Sequence, residues 1–524
     1  MSVKRPIRKH YLPKFVPVIA LLILSQSAPQ FCLAQEATDE QSKGSSLLAA
    51  TTFNEPSGQR LESLTKQIAR KETELLRLNT NFRIECTRVS KWKPRRLFLY
   101  NLAASGTSNA GIDSIAASRW NYASHPKAMT RTTAIAGPIC LLVGHCITLG
   151  GVMTESTLDL INDYKVRKKG LDPKSSRTRV LAIKADLDKL IAERNDVLSQ
   201  GHDLSAADLE LAQSEGAVLK DVRDLSLSEY SQFYVRANKF FANRDTNSVM
   251  AATAACTGGF QGSLLGIISA DKRQPRLVYP GGVGFVISGA TIAATPLATR
   301  LMANLRGSLA RHDIAPEIDN ISTSSVSQLD TDRLKLEQLL AQSNHSQNDY
   351  FANISKRAGA YSKQSELLAA QNQMNSEEKT LSNKEFLERM FFATCIGGSK
   401  MSWGINLAHA GYLYHPRSVL KLSKSTVTTK VTNKVTGKIK SVVTTKVKVT
   451  ASPDPAPGKL FTERVAIGAT SYIPGTSLWI LDTLQNRVRG EARNHALATQ
   501  SHLPAALLKE RMDRVEQIDG AFNY

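Results

Sequence analysis

The chain has 524 residues, a formal net charge of +21 and an aromatic content of only 6%. It is longer than one ordinary domain, and its wealth of Leu and Ala favours helices. Most of the net positive charge comes from the N-terminal leader and from three loops beside apolar segments, which is the distribution of cytoplasmic loops in membrane proteins and argues against nucleic acid as a partner.

Residues 1–34 have the pattern of a secretory signal peptide. Five bases without an acid precede a short apolar core at residues 15–24, and small residues follow up to Ala34. We expect cleavage after Ala34. An uncleaved anchor is the alternative, but Pro17 and the short core disfavour a stable membrane span.

Six apolar segments follow in three pairs. Three of them are free of formal charge and long enough to cross a bilayer, at residues 133–152, 248–270 and 277–299. The other three are weaker: residues 97–118 contain Asp113, residues 390–414 contain Lys400, and residues 465–481 are short. All six are rich in Gly, Ala, Ser and Thr, which suits close packing of helices in a membrane. Soluble, Ala- and Gly-rich core helices are the alternative interpretation.

Each pair brackets a basic loop, so the sequence predicts three membrane hairpins separated by helical spacers. The first arms end at related positions, Pro126, Pro275 and Pro416, each followed by a base, which indicates an internally triplicated membrane domain. The predicted hairpins are residues 97–155, 246–303 and 388–482; the helical spacers are residues 35–96, 156–245 and 304–387, and the helical tail is residues 483–524.

The spacers show heptad-like spacing of apolar residues with charges on the other faces. The clearest run contains Leu61, Leu64, Ile68, Leu75 and Leu78. Breaks at residues 200–202 and 344–345 predict that the two long spacers each fold into antiparallel helices. Intramolecular helical hairpins are favoured over a long dimeric rod.

One segment departs from the helical pattern. Residues 425–450 consist almost entirely of Val, Thr and Lys in loose alternation, with Gly437 near the middle. The segment predicts a small β-hairpin inserted in the third loop. Its lysines could face anionic lipid, or they could protect a solvated edge strand.

A polar constellation in the first arms is the candidate functional site. Counted back from the shared prolines, Asp113, Gln261 and Lys400 fall at similar depth, and ionisable groups within a membrane need a partner or water. The constellation is either a path for a solute or ion at the repeat interface, or a structural tie between Asp113 and Lys400. Further polar residues extend the same stripe, namely Asn109, Asn406 and His409.

Signatures of catalysis are absent from the sequence. There is no P-loop, dinucleotide fingerprint, metalloprotease or hydrolase motif, and Gly397 to Lys400 lacks the strand and first glycine of a P-loop. Cys140, His145 and Cys146 spread over more than half of a helix circumference, so one metal ion could not bind all three. We therefore predict no enzyme activity, no metal and no cofactor.

The sequence as a whole predicts an all-α, polytopic membrane protein. A cleaved leader and basic loops place the spacers outside the cytoplasm of a bacterial inner membrane, with the lipid bilayer as partner. The predicted role is a scaffold or interaction protein that binds other envelope proteins through its spacers. Two alternatives remain: a channel or transporter with a polar path between first-arm helices, and a soluble secreted helical protein.

Overall fold

The computed structural model describes residues 57–87, 92–124, 131–200, 204–271, 275–318, 325–342, 349–413, 420–432, 439–451, 456–499 and 504–522. The predicted signal peptide at residues 1–34 lies outside the described residues. So do some of the basic residues predicted between the arms, at residues 125–130, 272–274, 414–419 and 433–438.

Helices account for almost all of the described chain. They are α1 (Ser57–Thr87), α2 (Lys93–Ser124), α3 (Arg131–Lys168), α4 (Pro173–Gln200), α5 (Ala206–Ala254), a π-helix (Ala255–Gly262), α6 (Ser263–Asp271), a short 3₁₀ turn (Pro275–Leu277), α7 (Val278–Ile318), α8 (Val326–Gln342), α9 (Asp349–Leu413), α10 (Ala456–Thr499) and α11 (Pro504–Phe522). Two antiparallel strands, β1 (Leu420–Thr432) and β2 (Ile439–Ala451), lie between α9 and α10, with Leu420 opposite Ala451.

The same order of elements occurs three times along the chain: an inner helix, a first arm, a second arm and an outer helix. In the first set these are α1, α2, α3 and α4. In the second, α5 continues through the π-helix and α6 as one rod that supplies inner helix and first arm, followed by α7 and α8. In the third, α9 supplies inner helix and first arm, followed by α10 and α11. Each of the two long predicted spacers, residues 156–245 and 304–387, thus combines the outer helix of one set with the inner helix of the next.

The spacers form one shared core instead of separate coiled coils. The inner helices α1, α5 and α9 contact one another, and each outer helix contacts two of them: α4 lies on α1 and α5, α8 on α5 and α9, and α11 on α9 and α1. The heptad leucines of α1 are buried in this core together with Val222, Leu329 and Phe522. The chain reverses between α4 and α5 and again between α8 and α9, at the two predicted breaks.

The six arms form a closed ring. Around the ring α2 contacts α3, α3 contacts the π-helix and α6, these contact α7, α7 contacts α9, α9 contacts α10, and α10 returns to α2. The second arm of each hairpin therefore packs on the first arm of the next. A second apolar core joins the arms, with Ile112, Leu141, Phe285, Trp403 and Tyr472 among its members.

Three helices in the described residues are long and apolar enough to cross a membrane. They are the continuous stretches Thr132–Gln200, Ala206–Asp271 and Val278–Ile318, which contain the three uncharged arms. The arm with Asp113, the arm with Lys400 and the short arm do not reach that hydropathy in the described residues. These three weaker arms nevertheless complete the ring, because α9, α10 and α2 pack on one another and close it between α7 and α3.

A glycine turn separates α3, the second arm of the first hairpin, from its outer helix α4. Gly170 has a φ of +66°, and the Leu171 amide donates to the Val166 carbonyl at 3.1 Å, the reversed bond that closes a helix at such a glycine. Val166 and Leu171 are both buried in the spacer core. Asp172 then caps α4, its side chain accepting from the Ser175 amide, and Pro173 occupies the first helical position.

Glycines let α7 and α9 approach within backbone contact. They recur at seven-residue intervals on facing sides, with Gly282 and Gly289 on α7 against Gly397 and Gly404 on α9. A Cβ on Gly282 would lie 2.3 Å from the Ala408 amide nitrogen, and one on Gly404 would lie 2.6 Å from the Gly282 carbonyl oxygen. This contact joins the second hairpin to the third, and it accounts for Gly397 without a phosphate-binding role.

Buried charges tie the inner helices together at the spacer end. Arg357 of α9 donates through Nε to Glu215 of α5 at 2.7 Å and through Nη1 to Glu62 of α1. Arg194 of α4 and the Tyr361 hydroxyl also donate to Glu215. Two arginines thus face two glutamates, so the cluster is balanced although Arg357 and Glu215 are fully buried. Removing one member would leave an uncompensated buried charge.

The spacer core also contains a buried carboxylate with fewer hydrogen bonds than this cluster. Glu72 of α1 is fully buried, and neither of its carboxylate oxygens accepts a hydrogen bond. Burial raises the pKa of Glu72 well above its ordinary value, Glu215 contributes in the same direction, and Arg223 and Gln364 oppose it. The folded protein therefore binds this proton more tightly than the unfolded chain does.

We predict that Gly404→Ala lowers the free energy of unfolding by about 1–3 kcal/mol, because the new methyl group would overlap backbone atoms of α7 that cannot move alone. Thermal unfolding of the purified protein in detergent measures the effect. Gly398→Ala is the matched control, since no heavy atom lies within 4 Å of its Cβ position, and alanine there is expected to be neutral or slightly stabilising. Equal stability of the two variants would contradict the close contact.

A second prediction concerns pH. Because the folded pKa of Glu72 is raised, its favourable contribution is complete below the unfolded pKa of about 4.3 and is lost as the pH rises towards the folded value. Glu72→Gln should therefore be more stable than the wild type at neutral pH and equal to it near pH 4, in unfolding curves recorded across that range. Glu74→Gln, an exposed change on the same helix, is the control. A Glu72→Gln advantage that does not vary with pH would refute the assignment.

Candidate functional site

A buried lysine–histidine pair lies at the centre of the ring. Lys400 Nζ of α9 is 3.0 Å from His145 Nε2 of α3, and the two residues are 2% and 3% exposed. They come from the third and the first hairpin, so the bond crosses the interior of the bundle. The position of Lys400 requires an explanation, because burying an ammonium without a counter-charge costs free energy of folding.

Hydrogen bonding fixes the roles of the two groups. His145 Nδ1 lies 2.6 Å from the Leu141 carbonyl oxygen, which can only accept, so Nδ1 carries a hydrogen. In the neutral imidazole Nε2 is then the acceptor, and Lys400 donates to it. Within the part of the chain that the structure describes, no carboxylate lies within ion-pair distance of Lys400. The ammonium therefore has a neutral partner and no anion.

Glycines of the π-helix make room for this pair. A Cβ on Gly259 would lie 1.9 Å from His145 Cγ, and one on Gly258 would lie 3.3 Å from Lys400 Cε and 2.2 Å from Ser288 Cβ. The Ser288 hydroxyl donates to the Ala254 carbonyl at 2.7 Å, just before the π-helix begins. π-Helical turns are rare and are often found at functional sites. Here the widened turn places two glycines where side chains from three other arms converge.

Aromatic rings complete the central layer. The Phe285 ring lies 6.3 Å from the His145 ring and 6.0 Å from the Trp403 ring, and Lys400 Nζ lies 5.9 Å from the Phe285 centroid. The last distance allows a cation–π interaction. Trp403 is 2% exposed, and its indole Nε1 has no hydrogen-bond partner.

Two cavities lie on opposite sides of the central layer. The spacer-side cavity, of about 780 Å³, includes His145 and Lys400 in its lining, and the loop-side cavity, of about 500 Å³, includes Phe285 and Trp403. All six arms line both cavities, and in every arm the residues of the loop-side cavity are nearer the hairpin loop. One residue of each arm illustrates this for each cavity. The spacer-side cavity is lined by Asn101, Thr148, Ala251, Thr299, Ile396 and Trp479. In the same order of arms, the loop-side cavity is lined by Ile115, Leu141, Gly266, Val278, Leu407 and Val465.

Basic residues outnumber acidic residues in the lining of both cavities. The spacer-side cavity has four bases near its mouth, Arg236, Lys239, Arg300 and Arg389, against Glu385 and Asp482. Of the described residues that line the loop-side cavity, one is basic, Arg119, and none is acidic. With Lys400 between them, the interior of the ring is electropositive over its length.

Of the predicted site residues, the structure brings only Lys400 into this layer. Lys400 is central. Gln261 lies in the π-helix and is half-buried, the Asn406 amide donates to the Ser402 carbonyl of its own helix, and His409 is exposed. Asp113 is exposed and accepts from Asn109 at 3.0 Å. The predicted Asp113–Lys400 tie is therefore not formed among the described residues, because Asp113 faces outwards from α2.

The partner that sequence analysis missed is His145. The sequence favours a packing role for His145 over a metal site with Cys140 and Cys146, but it does not identify Lys400 as the partner; among the described residues no group of metal-binding side chains forms there. The signal in the sequence is a lone imidazole in an uncharged arm together with a lone lysine in another arm. Comparison of the chain with protein-family models, curated proteins and solved structures gave no match.

We predict that Lys400 and His145 are energetically coupled, whereas Lys400 and Asp113 are not. In a double-mutant cycle, His145→Leu should destabilise the protein because it takes the acceptor from a buried ammonium, and this loss should be smaller in the Lys400→Met background, with a coupling energy above about 0.5 kcal/mol. The cycle with Asp113→Asn is the matched control and should be additive. Thermal unfolding in detergent provides the measurement. Coupling to Asp113 instead of His145 would contradict the observed pairing.

Proposed function

We propose that the chain is a polytopic protein of the cell envelope whose six-arm ring forms a gated path for a small solute, with the spacer core as an extracytoplasmic domain. The observation that carries the proposal is the pair of stacked cavities, each lined by all six arms and separated by one layer of side chains. A bundle that served only as a scaffold would have no need of two cavities at its centre. In this proposal the central layer is a closed gate.

Residence in the membrane is supported by the outer surface of the ring. Three helices have the length and composition of a span, and large apolar side chains project outwards from the arms, as lipid contact requires. They include Ile139, Val143, Ile287, Leu297, Ile405 and Ile467. We further propose that the chain arose by triplication of one unit, which the repeated element order and the related prolines of the first arms support.

A second candidate is a soluble, exported helical protein. Asp113 favours it, because this exposed carboxylate lies on an arm whose outer face would meet lipid. Alkaline carbonate washing of membranes separates the candidates. The path proposal requires the chain to stay in the pellet, and release into the wash would support the soluble bundle.

The gate predicts a flux phenotype. Phe285→Ala removes a ring from the layer between the cavities, so proteoliposomes with this variant should release a trapped solute several-fold faster than wild-type ones. Efflux is measured with chloride and with the neutral marker erythritol, so that the path is tested for either kind of solute.

Phe260→Ala is the matched control. Phe260 belongs to the π-helix but is 46% exposed, so it lies outside the two cavities. If Phe285→Ala and Phe260→Ala release both markers at the rate of protein-free liposomes, the ring is not a path, and the interaction role of the spacer core becomes the better proposal.

A further inference from the structure

The centre of the ring holds hydrogen-bond donors without matching acceptors. Among the described residues, Lys400 has one neutral acceptor, the imidazole of His145, for its three N–H groups. In the same part of the chain, the Trp403 indole N–H and the Ser263 hydroxyl have no hydrogen-bond partner, and both residues are 2% exposed and line the loop-side cavity. Buried polar groups in native proteins are nearly always satisfied, so unsatisfied donors beside a cavity point to a ligand that accepts.

The charge of the surroundings decides what kind of acceptor is missing. A neutral acceptor would satisfy Trp403 and Ser263 but would leave the buried Lys400 ammonium without a counter-charge. A cation would be repelled by Lys400 and by the bases at the spacer-side mouth. An anion meets both requirements, since it accepts hydrogen bonds and neutralises the ammonium.

We propose that the central layer is a binding site for a small monovalent anion, held by Lys400 on the spacer side and by the Trp403 indole N–H as the anion moves towards the loop side. The shared chemistry is a single negative charge on a compact acceptor, either a halide or a small carboxylate. The inference deepens the proposed function, because it names the solute class of the same path.

The arrangement also explains the position of His145. An anion that approaches Lys400 from the spacer-side cavity meets an ammonium already oriented by its bond to Nε2. The imidazole itself is oriented by its hydrogen bond to the Leu141 carbonyl and occupies the space that Gly259 leaves open. His145 is thus a positioning residue that holds the ammonium in place without cancelling its charge.

Calorimetric titration of the detergent-solubilised, full-length protein at one fixed pH tests the proposal without requiring transport. The probes are choline chloride and choline acetate, added to protein in a zwitterionic buffer. The wild type should bind at least one of them. Lys400→Met should weaken binding by about 100-fold or more, because it removes the positive charge that the described residues place in the central layer.

Trp403→Phe should weaken binding by about tenfold, since it keeps the ring and removes the N–H donor. This conservative variant decides the matter if Lys400→Met does not fold. Lys189→Met and Trp92→Phe are matched controls at exposed positions outside the ring, and they should bind as the wild type does.

The outcomes separate clearly. Chloride binding alone assigns the site to a halide, and acetate binding assigns it to a small carboxylate; either result supports the proposal. Absence of binding in the wild type, or wild-type affinity in Trp403→Phe and in any folded Lys400→Met, overturns it. If anion binding depends on Lys400 but proteoliposomes with Phe285→Ala show no flux, the protein has an anion site and is not a path. If these proteoliposomes release erythritol but the protein binds no anion, the ring is a path for another solute.

Discussion

The ion pair between Glu215 and Arg357 sets the register on which the rest of the molecule depends. It joins α5 and α9 near their N-termini, with 142 residues between the partners. The same offset separates Gly258 from Lys400, which are in contact in the central layer of the ring. The two helices therefore keep the same relative register from the ion pair to the central layer, over about 65 Å. A slip of one residue would rotate Lys400 by about 100° away from the space that Gly258 leaves open.

The two buried charge clusters differ in a way that assigns their roles. At the spacer end Arg357 faces two carboxylates, so its charge is neutralised inside the protein and the cluster serves assembly. In the ring the Lys400 ammonium has only an imidazole as its partner among the described residues, and the proposed anion would supply the counter-charge. The same helix, α9, carries both residues. The paired charges at the spacer end thus fix the helix that places Lys400 in the proposed gate.

Sequence patterns anticipated much of the fold, because each rests on a local rule. The apolar arms, the small residues of the arms, the breaks after Gln200 and near Asn344 and the burial of Leu61, Ile68 and Leu75 all follow from periodicity or turn chemistry. Which helices share a core does not follow from such rules. The sequence predicts separate hairpins for the spacers, whereas in the structure they merge, since each outer helix lies in the groove between two inner helices from neighbouring sets.

The candidate site shows where that reasoning stops. Counting residues back from the prolines gives the depth of a side chain along the bundle, but it does not give the direction in which the side chain points. Asp113 and Lys400 have similar depth, yet Asp113 lies on the outer face of α2 and Lys400 on the inner face of α9. The π-helix adds a further change of phase in the second rod, because each of its turns holds more residues than an α-helical turn. The polar residues of the three first arms therefore point in different directions, and the one that points inwards meets a histidine from a second arm.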